Sequence, residues 1–195
     1  MLKLTQIPSI LVGLRFTIAP LLLLDALDGK TTIWFLIGYV IAVISDIFDG
    51  IIARRLNVST VQLRQADSWA DISLYLSIAI SVWLVYPQVI INFQIPLIIA
   101  IFAQLTLFAV SLIKFQKFPS FHTYTAKIWG LTLLVATVGL FGFGYTKTLW
   151  LAIALCLINS FEEIIMTLLS SQWRCDILSI FHLIDLQQSE IIKTE

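Results

Sequence analysis

The sequence predicts an all-α membrane protein: a polytopic bundle of about six transmembrane helices, preceded by a short N-terminal interfacial segment. Of its 195 residues, 59% are hydrophobic and only 12% are charged, whereas a soluble domain has about 25% charged residues. The chain also contains successive apolar stretches of about 20 residues, the length with which an α-helix crosses a bilayer. Because the connections are short, we predict a single domain over residues 1–195.

The N-terminal segment leads into a first span that ends near Leu24. A signal peptide is not favoured, because Arg15 interrupts the apolar core and no small-x-small cleavage site precedes Asp25. The Arg15 side chain either extends to the membrane interface, which is the preferred interpretation, or lines a polar cavity. Five more apolar runs predict the remaining spans, at 32–50, 68–86, 95–114, 126–145 and 148–170.

The C-terminal tail, residues 171–195, mixes apolar and polar residues at roughly helical spacing. This pattern predicts an amphipathic helix at the membrane surface. If the six helices alternate in direction, ten of the twelve lysines and arginines fall on one side, the exceptions being Lys30 and Lys147. Positive residues concentrate in cytoplasmic connections, so both termini are predicted to be cytoplasmic. The formal net charge is zero, and we expect no nucleic-acid partner.

The residues most suited to chemistry lie between Asp46 and Asp71, where the second apolar run ends and the third begins. Asp46 and Asp49 are three residues apart, and Asp67 and Asp71 are four apart. These spacings place side chains on one face of a helix. If the two helices pair as a hairpin, four carboxylates converge. A site of oxygen ligands suits hard cations such as Mg²⁺ or Mn²⁺, and acids within a membrane are usually functional.

Gly50, Ala53 and Arg54 share a helical stripe with the first acidic pair. A glycine lets a phosphate-bearing ligand approach the backbone, and an arginine offers phosphate a planar fork of donors. Two alternatives use the same acids differently: an ionic cluster that only locks two helices together, and a cation or solute transporter. The transporter is disfavoured because the acids lie at one end of their helices and the other halves are apolar.

This stretch resembles the signature of the CDP-alcohol phosphatidyltransferases, D-x2-D-G-x2-A-R-x8-G-x3-D-x3-D. Seven positions match without a gap: Asp46, Asp49, Gly50, Ala53, Arg54, Asp67 and Asp71. The second glycine is replaced by Leu63. This departure has three interpretations, namely a shifted nucleotide, an adjusted loop or impaired turnover. Retained activity is favoured because every charged position of the signature is present.

The resemblance implies a six-helix membrane enzyme, usually a homodimer, that transfers a phosphatidyl group from CDP-diacylglycerol to an alcohol and releases CMP. It implies two divalent cations, Mg²⁺ or Mn²⁺. One would be held by Asp46, Asp49 and Asp67. The second would be held by Asp46, Asp67 and Asp71, and Asp71 would also accept the proton of the attacking hydroxyl. The CDP-lipid would be held by Asp49, Gly50, Ala53, Arg54 and Thr60.

The acceptor alcohol is less well indicated. The chain length and an N-terminal pattern of Ile7, Pro8, Arg15 and Pro20 resemble phosphatidylglycerophosphate synthases, whose acceptor is glycerol 3-phosphate, and imply a bacterial inner membrane. That group usually has Pro and Lys after the third and fourth acids, where this chain has Ser68 and Ile72. Other small alcohols therefore stay open, as does an inactive homologue that binds CDP-lipid.

A phosphorylated acceptor would require additional cations beside the acids. Arg64, Lys114 and Lys117 lie on the same predicted side of the membrane, and we expect them to contribute to the acceptor site. Two further acids, Glu162 and Glu163, lie deep in the last apolar run. Adjacent residues on a helix point about 100° apart, so the pair is not expected to face one site, and no role is assigned to it.

Overall fold

A computed structural model describes residues 6–194 except positions 57, 59, 122 and 176. This part of the chain forms the helices α1 (Ile7–Ala26), α2 (Ile33–Arg55), α3 (Val61–Val85), α4 (Pro87–Asn92), α5 (Gln94–Phe115), α6 (Tyr124–Phe143), α7 (Thr148–Leu169) and α8 (Ile180–Thr194). Within it, six helices are long and apolar enough to cross a membrane: α1, α2, α3, α5, α6 and α7. The all-α class and the six spans are therefore confirmed, and the chain is a multi-pass membrane protein.

Helix boundaries near the acidic stretch differ from the sequence prediction. α2 continues past position 50 to Arg55, and α3 begins at Val61 rather than at position 68. The predicted apolar run stops ahead of Arg54 and Arg55, but a helix continues wherever its polar residues keep helical spacing. Arg54 and Arg55 in the last turn of α2 complement the negative end of the helix dipole. The four acids therefore lie inside helices.

Thr60 determines where α3 begins. Its backbone is extended, and its Oγ1 accepts a hydrogen bond from the Leu63 backbone N–H at 3.1 Å. This is the side-chain cap that satisfies a free N–H group in the first turn of a helix. The capped start adds a polar turn to α3 ahead of its apolar part, which hydropathy alone could not locate.

The two ends of the chain differ from the expectations in smaller ways. The N-terminal interfacial segment falls largely on residues 1–5, which lie outside the described residues, and α1 begins at Ile7 with a proline in its first turn. The helix expected in the tail begins only at Ile180. Its Leu183 packs in a buried cluster with Phe121, Met166 and Ile177.

The described residues group into two compact units. The first takes in the described part of Met1–Asn92 together with Phe141–Gly144. Here α1 packs against both α2 and α3. Small side chains allow close helix packing in membranes, and this unit has fully buried alanines on all three helices: Ala19, Ala26, Ala42 and Ala70. α1 is thus the central helix of this unit.

The second unit takes in Phe93–Leu140 and the described part of Tyr145–Glu195. Its main contact joins α5 to α7, and α8 contacts α7. Both units expose large apolar side chains, among them Leu24, Trp34 and Trp83 in the first and Phe102, Ile113 and Phe161 in the second. Apolar surface of this extent is unfavourable in water, and contact with lipid explains it.

Candidate active site

Four carboxylates from two helices converge in the first unit. α2 carries Asp46 and Asp49, and α3 carries Asp67 and Asp71. One oxygen from each of Asp46, Asp49 and Asp67 lies within 4.8 Å of the others. The convergence expected from the sequence is present, but direct pairing of α2 with α3 as a hairpin is not its main cause. α2 and α3 each pack chiefly against α1, which therefore contributes to the site.

The contribution of α1 is Arg15, whose side chain is completely buried. Its Nη1 lies 2.9 Å from Oδ1 of Asp46 and 3.1 Å from Oδ1 of Asp67, and it also pairs with Asp71. Its Nη2 pairs with Asp49. One guanidinium is thus shared by all four carboxylates. The preferred interpretation of Arg15, extension to the membrane interface, is wrong, and the alternative of a polar cavity is right.

Sequence reasoning missed this network, although a signal for it was available. A cation in the middle of an apolar span needs a partner, because an unpaired buried charge is strongly unfavourable. The acids are the natural partners of Arg15 on charge grounds alone. The apolar length of the first span does not itself indicate which helices pack beside it.

The donor set fits a hard divalent cation. It consists of carboxylates, the ligands that Mg²⁺ and Mn²⁺ prefer. The Arg15 guanidinium shows that these oxygens already surround a positive group. Access is graded, because the side chains of Asp46 and Asp71 are 39% and 31% exposed while that of Asp49 is 5% exposed. The site has a buried end at Asp49 and an open end at Asp46 and Asp71.

Gly50 and Arg54 adjoin this cluster along α2. A Cβ added at Gly50 would lie 3.4 Å from Arg54 Nη2 and 3.5 Å from Nη1. The guanidinium therefore lies against the Gly50 backbone. Ala53 is buried, whereas Arg54 and Thr60 are exposed. This arrangement places a fork of donors, which suits phosphate, beside backbone that carries no side chain.

The model of the CDP-alcohol phosphatidyltransferase family matches residues 5–173. The chain belongs to this family. No curated protein and no solved structure matches it significantly. The protein is therefore a membrane transferase of phospholipid biosynthesis, which takes a CDP-alcohol and an alcohol acceptor. The family uses divalent metals, and the acidic cluster could hold them. Membership in this family favours neither the transporter nor the inactive homologue.

The residues expected at the acceptor site of this CDP-alcohol phosphatidyltransferase are divided between the units. Arg64 lies on α3 in the first unit, whereas Lys114 and Lys117 lie in the second. Lys114 Nζ donates to the carbonyls of Thr167 at 3.1 Å and Leu168 at 2.6 Å, at the end of α7. Lys117 Nζ lies 4.8 Å from the centre of the Trp173 ring. Both lysines thus have local partners, and their role toward an acceptor stays a prediction.

The signature departure at Leu63 lies in the first turn of α3 and is half-buried. The φ angle of Leu63 is not positive: among the described residues other than glycine, Gln116 has the positive φ. The backbone at Leu63 therefore does not require the conformational freedom of glycine, and only the space taken by the side chain distinguishes this transferase from the family pattern.

The two acids of α7 belong to a separate polar cluster in the second unit. Thr123 and Thr125 each donate a hydrogen bond to Oδ1 of Asn159 at 3.0 Å. Thr125 also hydrogen-bonds Glu162. Glu163 is buried and lies within hydrogen-bonding reach of Asn159 and Thr123. These partners are neutral hydroxyl and amide groups, so the cluster differs chemically from the acidic site.

Proposed function

We propose that this transferase moves the phosphatidyl group of CDP-diacylglycerol to a small alcohol and releases CMP. The observation that carries the proposal is the convergence of four carboxylates from α2 and α3 around one cationic group. A diphosphate ester resists attack by a hydroxyl because its own negative charge repels the nucleophile. A site that concentrates carboxylates and cations in a membrane protein of this family is suited to such a substrate.

The proposal includes two divalent cations, Mg²⁺ or Mn²⁺. Asp46, Asp49 and Asp67 would hold the first, which is supported by their oxygens lying within 4.8 Å of one another. Asp46, Asp67 and Asp71 would hold the second, which is supported by their shared contact with one nitrogen of Arg15. When bound, such cations neutralise phosphate charge and stabilise the leaving CMP.

Asp71 is proposed to take the proton from the attacking hydroxyl. A general base must be within reach of the group that it deprotonates. The Asp71 side chain is 31% exposed and lies at the open end of the cluster, where an acceptor could approach it. Asp49 is 5% exposed and is less accessible to an acceptor.

The CDP part of the substrate is proposed to bind along the end of α2 and the start of α3. Arg54 would contact phosphate beside the bare backbone of Gly50, which is supported by the guanidinium lying against that backbone. Buried Ala53 and Asp49 would form the wall of the site. The Thr60 hydroxyl accepts the Leu63 N–H, and its own proton stays available for the nucleotide.

The acceptor is proposed to be glycerol 3-phosphate, on the N-terminal pattern that resembles phosphatidylglycerophosphate synthases. Cytoplasmic termini are supported by the distribution of lysine and arginine. A bacterial inner membrane and a homodimer follow from the resemblance alone. Crosslinking of the purified protein in membranes would test the dimer, because a monomer would give no crosslinked species.

The test is CMP release by the purified full chain, given CDP-diacylglycerol, Mg²⁺ or Mn²⁺, and single acceptors from a panel of alcohols. Release should depend on one acceptor and fall by about 10²–10⁴-fold in Asp71→Asn, the range for loss of a general base. Asp28→Asn is the matched control, because Asp28 is exposed in the turn after α1. Absence of CMP release with every acceptor would overturn the proposal. Full release by Asp71→Asn would overturn the assignment of Asp71 as the base.

A further inference from the structure

The contacts of Arg15 divide its guanidinium between two sets of acids. Nη1 contacts Oδ1 of Asp46, Asp67 and Asp71, and Nη2 contacts Asp49. The three carboxylates around Nη1 are the set proposed to hold the second divalent cation. A divalent cation bound by those three oxygens would therefore occupy the space in which Nη1 lies.

We propose that Arg15 is a built-in counter-ion that occupies the second cation position, and that a divalent cation binds there by displacing the guanidinium. This inference rests on the proposed metal site and extends it. In the exchange no covalent bond changes: one positive group leaves the oxygens of Asp46, Asp67 and Asp71 as another arrives. The bound cation must therefore outcompete a charge that the protein itself supplies.

Two features of Arg15 support an exchangeable role. First, its Nε is buried and has no hydrogen-bond partner among the residues that the structure describes, so the guanidinium is not fully satisfied by them in this position. Second, Nη1 lies at the end of the cluster where Asp46 and Asp71 are 39% and 31% exposed. An ion arriving at the open end would meet Nη1 before it reached Asp49, which is 5% exposed.

With this exchange, the acids have a positively charged partner both before and after a divalent cation binds. Four carboxylates gathered inside a membrane protein without a cation would repel one another strongly, because charges interact over long distances where water is excluded. Arg15 would hold the cluster together when divalent cations are scarce. The opposite role is that Arg15 permanently positions the carboxylates for the metal, and it predicts the opposite effect of removing the arginine on metal affinity.

Mn²⁺ binding to the purified full chain distinguishes the two roles, with free Mn²⁺ followed by its paramagnetic resonance signal. The variant Arg15→Met removes the charge and keeps an apolar stem. Exchange predicts that this variant binds Mn²⁺ at least about tenfold more tightly than the native chain, because a competing unit charge at contact distance is gone. Arg55→Met is the matched control: Arg55 is exposed at the end of α2, and its loss should change affinity by less than about threefold.

Thermal unfolding provides a second readout. Without divalent cations Arg15→Met should unfold at a lower temperature than the native chain, and saturating Mn²⁺ should remove most of that difference. If Arg15→Met folds only with Mn²⁺ present, Arg15→Lys replaces it. A lysine retains the charge but lacks the fork that reaches both acid sets. Exchange therefore predicts that Arg15→Lys binds Mn²⁺ more tightly than the native chain, but less tightly than a site with no competing charge.

The outcomes separate this inference from the proposed function. If the native chain binds Mn²⁺, and Arg15→Met or Arg15→Lys binds it with equal or lower affinity, the exchange is overturned and the metal site still stands. Mn²⁺ binding in Arg15→Met alone would support exchange in its strongest form. Absence of Mn²⁺ binding in the native chain and in both variants would overturn the exchange together with the metal site on which it rests.

Discussion

Two polar clusters lie within apolar helices of this protein, and they satisfy their acids in different ways. In the first unit, Asp46, Asp49, Asp67 and Asp71 share one arginine. In the second unit, Glu162 accepts a hydrogen bond from Thr125, and Glu163 lies near the polar groups of Asn159 and Thr123. In this second cluster, hydrogen bonds from neutral side chains satisfy the acids. In the first cluster, four acids from two helices already surround a positive group, which makes it the cluster arranged like a cation site.

The largest expected effect comes from an acid-to-amide change in the first cluster. Asp46→Asn removes a ligand that both proposed cations share. CMP release should fall by about 10³-fold or more, because a metal ion contributes several kcal/mol of transition-state stabilisation. Initial rates in detergent micelles at saturating Mn²⁺ measure the change. The matched change in the second cluster, Glu162→Gln, should leave the rate within about fivefold of native.

This pair of variants can also break the comparison. If Glu162→Gln reduced CMP release as strongly as Asp46→Asn, the second cluster would belong to the reaction. A loss in Asp46→Asn of less than tenfold would mean that the carboxylates of α2 are structural. The stability of each variant must be measured in parallel, so that a folding defect is not counted as lost chemistry.

A smaller effect is expected from Asn159→Leu in the second cluster. The change removes the acceptor that the Thr123 and Thr125 hydroxyls share, and the loss of two hydrogen bonds at about 0.5–1.5 kcal/mol each costs about 1–3 kcal/mol. The melting temperature should fall by about 2–10 °C for a chain of this size. Because the cluster is expected to bind no metal, saturating Mn²⁺ should not reduce the difference between variant and native. Recovery of stability on adding Mn²⁺ would contradict the assigned difference between the clusters.

A cap variant tests whether Thr60 acts on both structure and substrate. Thr60→Ala should cost about 1 kcal/mol of stability through loss of the α3 cap, and it should also weaken binding of CDP. The control is Thr32→Ala, because Thr32 caps α2 by accepting the Trp34 N–H at 3.3 Å and is not part of the proposed CDP site. Calorimetric titration with CDP and Mn²⁺ compares them. Equal CDP affinity in both variants would limit Thr60 to its capping role.

Features that depend on a local sequence pattern could be predicted from the sequence, and features that depend on packing could not. Six spans follow from hydropathy, and the four acids follow from helical spacing, so both were predictable. The end of α2 and the start of α3 were not predictable, because Arg55 and Val61 lie in helical turns that apolar composition does not mark. The contacts of Arg15 with the acids were not predictable for a different reason. Its partners are more than 30 residues away in the sequence, and only the packing of α1 against α2 and α3 brings them together.

The smallest expected effect concerns Leu63, where the chain departs from the family pattern. Leu63→Gly should destabilise α3, because glycine within a helix is about 1 kcal/mol less favourable than alanine. CMP release should change by less than about fivefold, since every charged position of the site is retained. Leu63→Ala is the control: it creates similar space without the added backbone freedom. A gain of about a hundredfold in both variants would show that the leucine side chain blocks turnover. A gain in Leu63→Gly alone would point instead to the backbone of the first turn of α3, which the helical conformation at Leu63 argues against.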